Sequence, residues 1–417
     1  MATRSTPPAA TNAPNYVGPF ITVTILFGIF GFLTSLNNTL VAKLEDVFKL
    51  THGPAMLATA AWFFAYLVFS VPSAKLIEKV GYKRTMVISL FIMVGGALLF
   101  IPAANLVSFP LTLTAIFVLA SGVCALQTSA NPYVSILGPE HSAPARLTLA
   151  QAFNSLGSAA APWVATHFIL AGSSKFTTSA SAARMLQGPY IAIAAALLLL
   201  GFAVMFMNLP AIAATRAFRP ASEGDPLLGR SIWSYSHTVL GMVGIFFYVG
   251  VEISLAAITI QYCQAQGIGN VETAGLMLIL YNLFMMAGRF LGSFIMTWIK
   301  AEKLLVVLGF FGVVLLLVSM FSSGPVAIWS LVLCGVANSV MYPNIFALGI
   351  AELGPMTSKG SGIINVGNVG GAIIPPLFGL LADKVGIQYA FIIPIIGYLY
   401  VAYYGLSGFK PTRTGAV

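Results

Sequence analysis

Between Leu333 and Lys384 two apolar segments carry four amides, Asn338, Asn344, Asn365 and Asn368. Asn and Gln donate and accept hydrogen bonds but have no protonation equilibrium near neutral pH, so they cannot serve as general acids or bases. An amide inside an apolar, lipid-embedded helix is costly unless it finds a partner. Clustered uncharged donors and acceptors at membrane depth therefore point to a neutral, hydroxyl-rich ligand held inside the bilayer. The chemistry is that of holding a sugar rather than breaking a bond.

The same pattern recurs along the chain. Gln127 and Asn131 lie four residues apart, Gln151 and Asn154 three, Asn338 and Tyr342 four, Asn365 and Asn368 three. Each pair shares one face of a helix. Gln151, Asn154 and Asn338 read best as ligand contacts. Asn131 and Asn344 each adjoin a proline, and satisfying backbone groups freed by that proline explains them equally well. The competing reading for all of them is helix–helix adhesion, worth about 0.6–2 kcal/mol per bond without any ligand. Phe30, Trp62, Tyr281, Phe284 and Tyr342 are the aromatic candidates for a wall against the apolar face of a sugar ring.

Glu252 is the acid deepest within a span. A carboxylate at a helix centre costs about 2.5–3.5 kcal/mol on insertion scales, which calls for a role: ion coupling, binding of a sugar hydroxyl, or pairing with a cation. A structural bond to an amide, a tyrosine or Arg289 is the alternative. Arg289 itself lies near a span end, where snorkelling to the interface is expected. His52, His141, His167 and His237 fall singly, mostly at span ends. No metal site, nucleophilic triad or phosphate-cradling loop is legible, so neither an enzyme nor a bound cofactor is expected.

The elements that must position these groups are membrane helices. The 417-residue chain is 58% hydrophobic and 7% charged, against about 25% charged in ordinary soluble proteins. A helical span needs about 20 apolar residues. Segments of that kind recur near 17–42, 54–77, 85–104, 110–137, 147–171 and 189–209, then near 237–262, 271–298, 303–322, 325–351, 360–382 and 387–408. The expectation is an all-α membrane protein of twelve spans. The polar arm before the first span has no basic n-region or small-residue cleavage site, so no signal peptide is read.

Lys and Arg set the orientation. The side carrying both termini collects fourteen of them, among them Lys79, Lys83, Arg84, Arg216, Arg219 and Lys303; the other side has five, Lys43, Lys49, Lys175, Arg184 and Lys384. By the positive-inside rule both termini are cytoplasmic. The net charge of +9 is thus a topology signal, and without a single basic patch a nucleic-acid partner is not expected. Cys124, Cys263 and Cys334 sit in or at the ends of apolar spans and read as small hydrophobes rather than disulfide partners.

Ala211 to Tyr235, the longest polar stretch, divides six spans from six. The domain reading is 1–210, a linker 211–236, and 237–417. A constant offset of 211 residues places Gln127 on Asn338, Pro132 on Pro343, Gly138 on Gly349 and Asn154 on Asn365. Such recurrence indicates duplication, and paired six-helix repeats place a substrate site at their interface near mid-membrane. The loop between spans two and three, AKLIEKVGYKR from Ala74 to Arg84, is a loosened form of G-x-x-x-D-R-x-G-R-R. An acid at a helix end among basic residues can lock helices in a closed state; simple positive-inside anchoring is the rival.

The chain resembles the fucose permease and glucose/galactose permease branch of the major facilitator superfamily. The segments that carry this are GFLTSLNNTLVAKLEDVFKL (31–50), QTSANPYVSILGPE (127–140), RLTLAQAFNSLG (146–157), YVGVEIS (248–254), GRFLGS (288–293), ANSVMYPNIFALGI (337–350) and GSGIINVGNVGGAIIPPLFGLLAD (360–383). The resemblance implies uptake of a hexose or deoxyhexose, usually with a proton and in some relatives with sodium. It also implies that Glu252 matches a YVGAE-like motif. Two departures stand out. In Leu36-Asn37-Asn38-Thr39-Leu40, Asn38 takes the place of an Asp of an L-N-D-x-L motif. Gln127 stands where the fucose permease has Glu and glucose/galactose members tend to have Gln. Those carboxylates are the family's proton-linked groups, and neither amide can replace them. Either this chain moves sugar without a proton, or coupling sits elsewhere, or Asn38 is an engineered replacement.

The expected function is secondary transport of a monosaccharide, glucose or galactose first, by a monomer in the inner membrane of a bacterium. Fucose or N-acetylglucosamine is the alternative substrate. Multidrug efflux and a non-transporting sugar sensor are the alternatives in other classes. The candidate substrate contacts are Gln127, Gln151, Asn154, Glu252, Asn338 and Asn365. Asn38 and Glu252 are the candidate coupling positions. Gly360 to Gly371 supplies small residues for sliding contacts.

Overall fold

A computed structural model describes residues 16–48, 52–164, 167, 187–207, 209, 230–267 and 270–411, and of 38–48 and 52–56 only the helical backbone. The first half contains α1 Val17–Phe48, α2 His52–Val80, α3 Tyr82–Asn105, α4 Phe109–Ile136, α5 Ala143–Val164 and α6 Gln187–Phe206. The second begins with α7 Ser236–Ala265, α8 Val271–Ile295 and α9 Ala301–Phe321. Its remaining spans are divided. The tenth is α10 Gly324–Asn338 and α11 Met341–Gly349; the eleventh is α12 Thr357–Val366 and α13 Gly370–Val385; the twelfth is α14 Ile387–Ala390 and α15 Ile392–Tyr403.

Eleven of these spans are long and apolar enough to cross a membrane. The remaining one, the fifth, is expected at 147–171; it is seen as α5 up to Val164, and the rest of that segment, like most of the linker, lies outside the described residues. Large apolar side chains such as Val307, Phe310, Val314, Leu199 and Phe206 remain exposed. In water that surface would be a liability, whereas in lipid it is the solvated face.

Both halves pair their helices alike. α3 packs on α4 and α6, α2 on α4, and α1 on α5; correspondingly α9 packs on α10 and α15, α8 on α10, and α7 on α12 and α13. The 211-residue offset thus has a counterpart in space. At the centre, repeat-related residues meet: Asn131 Nδ2 donates to the Tyr342 hydroxyl at 3.3 Å, 211 positions away. Packing within a half is close enough to require glycine. A Cβ on Gly157 would stand 2.0 Å from the Gly28 carbonyl oxygen where α5 crosses α1.

The halves meet along α2–α12, α5–α8, α5–α11 and α4–α12. These contacts favour one end of the bundle, where the connections around Gly138, Lys300 and Leu353 surround a cavity of about 460 Å³. We call it the cavity end. There Lys359 Nζ approaches Glu78 Oε1 at 3.7 Å and the Ser358 hydroxyl donates to the same oxygen at 3.3 Å. The Ala74–Arg84 segment is therefore more than a run of anchoring charge, since its acid ties α2 to α12 of the other half.

Two expectations need correction. Spans ten and eleven were read as continuous helices; span ten breaks at Ser339–Val340 and span eleven at a 3₁₀ turn, Gly367–Val369. Pro343 has no N–H for the Ser339 carbonyl and crowds it, so the helix opens one turn earlier. The second correction is Arg289, which does not snorkel: it is 7% exposed and faces the other half.

Candidate amide site at the interface of the halves

The break in span ten decides which amides come together. Asn338 and Tyr342 were expected on one face; across the break they diverge. Asn338 Nδ2 donates to the Tyr281 hydroxyl at 2.7 Å, within the second half. Tyr342 instead donates to Asn365 Oδ1 at 3.0 Å and accepts from Asn131. Asn365 Nδ2 donates to the Thr128 hydroxyl at 2.8 Å, crossing to α4. Asn368 Nδ2 donates back to the Asn365 carbonyl at 2.9 Å, a contact that the 3₁₀ turn permits. Gln151 Nε2 donates to Asn131 Oδ1 at 3.5 Å. Gln151, Asn131, Tyr342, Asn365 and Thr128 thus form one uncharged chain of hydrogen bonds running between the halves.

The other candidates flank this chain. Gln127, half-buried, accepts from the Tyr66 hydroxyl at 3.1 Å, and it lines a small cleft with Leu26, Phe27 and Phe30. Asn154 turns away from Gln151, three residues earlier, and donates to the Phe27 carbonyl of α1 at 3.1 Å. Glu252 is half-buried on α7, one turn beyond Tyr248, whose ring centre lies 6.2 Å from that of Tyr342. Asn38 lies on the helical backbone of α1, and its side chain is outside the described residues. Asn344 reaches the Ala301 carbonyl at 3.5 Å, at the edge of hydrogen bonding, and takes no part in the central chain.

Of the candidate contacts, Asn338 keeps an unpaired acceptor, as Asn344 does outside the central chain. Asn338 is fully buried, and its Oδ1 has no partner. An unpaired buried carbonyl oxygen costs about 1–3 kcal/mol, a cost that a ligand hydroxyl would remove. The cavity of about 460 Å³ contains none of these residues and lies beyond the closed layer, at the end of the bundle. Arg146, at the start of α5 and outside the apolar spans, closes the α4–α5 connection by donating to the Pro139 and Ser135 carbonyls at 2.8 and 2.5 Å. Desolvation lowers its pKa to about 10, so it stays cationic at neutral pH.

Asn131, weighed in the sequence against backbone satisfaction, joins the central chain; Thr128 joins it and Tyr66 reaches Gln127 beside it, neither having been singled out there. For Asn131 a signal existed, because its counterpart at the 211-residue offset is Tyr342, its hydrogen-bond partner. Thr128 gave none, since hydroxyls that bond back one turn, as it does to the Cys124 carbonyl, are ordinary in membrane helices.

Known proteins share this architecture and sequence. The chain is 40% identical over 403 residues to a glucose/galactose transporter of Brucella abortus biovar 1 (strain 9-941), covering 95% of each. It is 31% identical to the L-fucose-proton symporter of Escherichia coli (strain K12), covering 90% of each. The crystal structure of the transporter FucP in the outward conformation superposes with a TM-score of 0.86 at 30% identity, over 94% of this chain and 99% of that one. The family description "Major Facilitator Superfamily" matches residues 23–374. With two pseudo-equivalent six-helix halves and a polar seam between them, this multi-pass membrane protein belongs to the Major Facilitator Superfamily.

Proposed function

We propose that the chain is a glucose or galactose carrier working by alternating access. The observation that carries this reading is the chain Gln151–Asn131–Tyr342–Asn365–Thr128, uncharged and shared by both halves. A pyranose offers a ring of hydroxyls that both donate and accept. Amides and tyrosines match that pattern without requiring the ligand to carry charge. A ligand that inserts among these groups exchanges bonds between the halves for bonds to itself, and so biases the equilibrium between closed and open ends. The relatives named for glucose and galactose support the hexose assignment, as does Gln127.

In this reading Gln127, Gln151, Asn338 and Asn365 contact the sugar. Asn154 sets the α1–α5 spacing behind them as well as contributing polarity. Asn38 has no titration to offer, so the chain exchanges hexose without proton coupling, and Glu252 contributes a polar group to the seam. The cavity end, with Lys79, Lys83, Arg84 and Lys303 nearby, is cytoplasmic, and the structure is the form closed on that side. The chain functions as a monomer in the inner membrane, with lipid around its apolar belt.

Proteoliposomes holding the purified chain test this directly. Radiolabelled glucose or galactose should exchange across the membrane, and unlabelled fucose should compete less well than either hexose. Exchange of fucose in preference to both hexoses would establish the deoxyhexose reading instead.

A further inference from the structure

Repeat-related prolines leave the same backbone group free in each half, and each is used at the closed interface. Pro132 and Pro343 are 211 positions apart, and neither has an N–H for the carbonyl four residues earlier. Those carbonyls belong to Thr128 and Ser339. The Thr128 carbonyl accepts from the Ser361 hydroxyl of the opposite half at 2.7 Å. The Ser339 carbonyl accepts from Arg289 Nε at 3.2 Å. Arg289 then spans the interface, as its Nη1 donates to the Gln151 carbonyl at 3.3 Å and to the Ser155 hydroxyl, both in α5.

Resting on the carrier reading above, we propose that Arg289 is a positioning residue for transport. It fastens α8 and the broken span ten to α5, so that the cavity end stays closed while the amide chain is assembled. A guanidinium suits this task because it keeps its charge and presents several donors in a fixed plane. A buried cation that loses its acceptors pays a large desolvation cost, so opening this end requires a replacement.

The test is a distance measurement on the full-length chain in lipid nanodiscs, without sugar. Spin labels on Glu140→Cys and Lys300→Cys report on opposite halves at the cavity end; the three native cysteines are buried. The unmodified background should show one dominant short distance. Arg289→Met should raise the ratio of long to short distances by about tenfold, the effect of losing a charge-assisted hydrogen bond. Arg289→Lys should restore part of the short population. Pro343→Ala, which offers the Ser339 carbonyl an N–H again, should shift it the same way by less. Should Arg289→Met fail to fold, Ser155→Ala and Pro343→Ala give the same reading. Folded variants with the unmodified distance distribution would overturn the proposal. Because no sugar is present, that result is separate from a failure of hexose exchange, which would refute only the carrier reading.

Discussion

Single residues matter here through partners they lack as much as those they have. Asn338 is held at Nδ2 by Tyr281 while its Oδ1 has no partner, and Gln151 holds the chain through one long bond. Removing either side chain should weaken hexose binding by about 1–3 kcal/mol, because a ligand hydroxyl then loses its counterpart in a buried site. Titration calorimetry on folded Gln151→Ala and Asn338→Ala chains checks this, and unchanged affinity would remove the residue from the site. Asn154 should behave differently from both, since its amide already serves α1. Asn154→Ala is expected to lower thermal stability as well as affinity.

Helices in this bundle meet at two kinds of close contact, and the distinction can be measured. A Cβ at Gly335 would lie 2.2 Å from the Tyr281 carbonyl oxygen, between α10 and α8 of one half. A Cβ at Gly362 would lie 2.6 Å from the Ala74 Cβ, between α12 and α2 of opposite halves. Contacts within a half persist through the transport cycle, whereas contacts between halves must part. Gly335→Leu should therefore lower folded yield and the melting temperature in detergent. Gly362→Leu should leave folding nearly intact but prevent closure of the cavity end, read as loss of hexose exchange with retained thermal stability. Equal damage from both substitutions would mean that the α2–α12 seam does not open.

At the scale of the whole molecule, a carrier concentrates its substrate only if an ion biases the same conformational equilibrium as the sugar. Asn38 offers no proton equilibrium, so the chain should exchange hexose but not accumulate it on an imposed proton gradient. Asn38→Asp should introduce pH-dependent accumulation in proteoliposomes. Accumulation by the unmodified chain would assign coupling to Glu252. The Glu78–Lys359 pair contributes to closure only modestly, being 35% and 41% exposed. Exposed pairs are worth about 0.2–1 kcal/mol and are screened by salt. Glu78→Gln should shift the spin-label distances less than Arg289→Met does, with the difference from the unmodified chain shrinking at high ionic strength.

A membrane helix bundle with matching polar positions in its two halves and an amide-rich seam was legible in the sequence alone. Those features follow from local quantities: a span announces itself by about 20 consecutive apolar residues, and a repeat by residue types at one offset. The sequence also located the amides that the seam uses, because a polar group in an apolar helix is visible without coordinates. Only the tertiary structure decided which amides meet. Asn338 and Tyr342 are four residues apart, yet the break imposed by Pro343 sends one to Tyr281 and the other across to Asn131 and Asn365. Arg289 was legible as a charge near a span end, but its burial against α5 depends on how two halves close on each other. Helix periodicity fixes faces within one segment; which faces touch depends on packing between segments distant in the chain, and no local spacing encodes that.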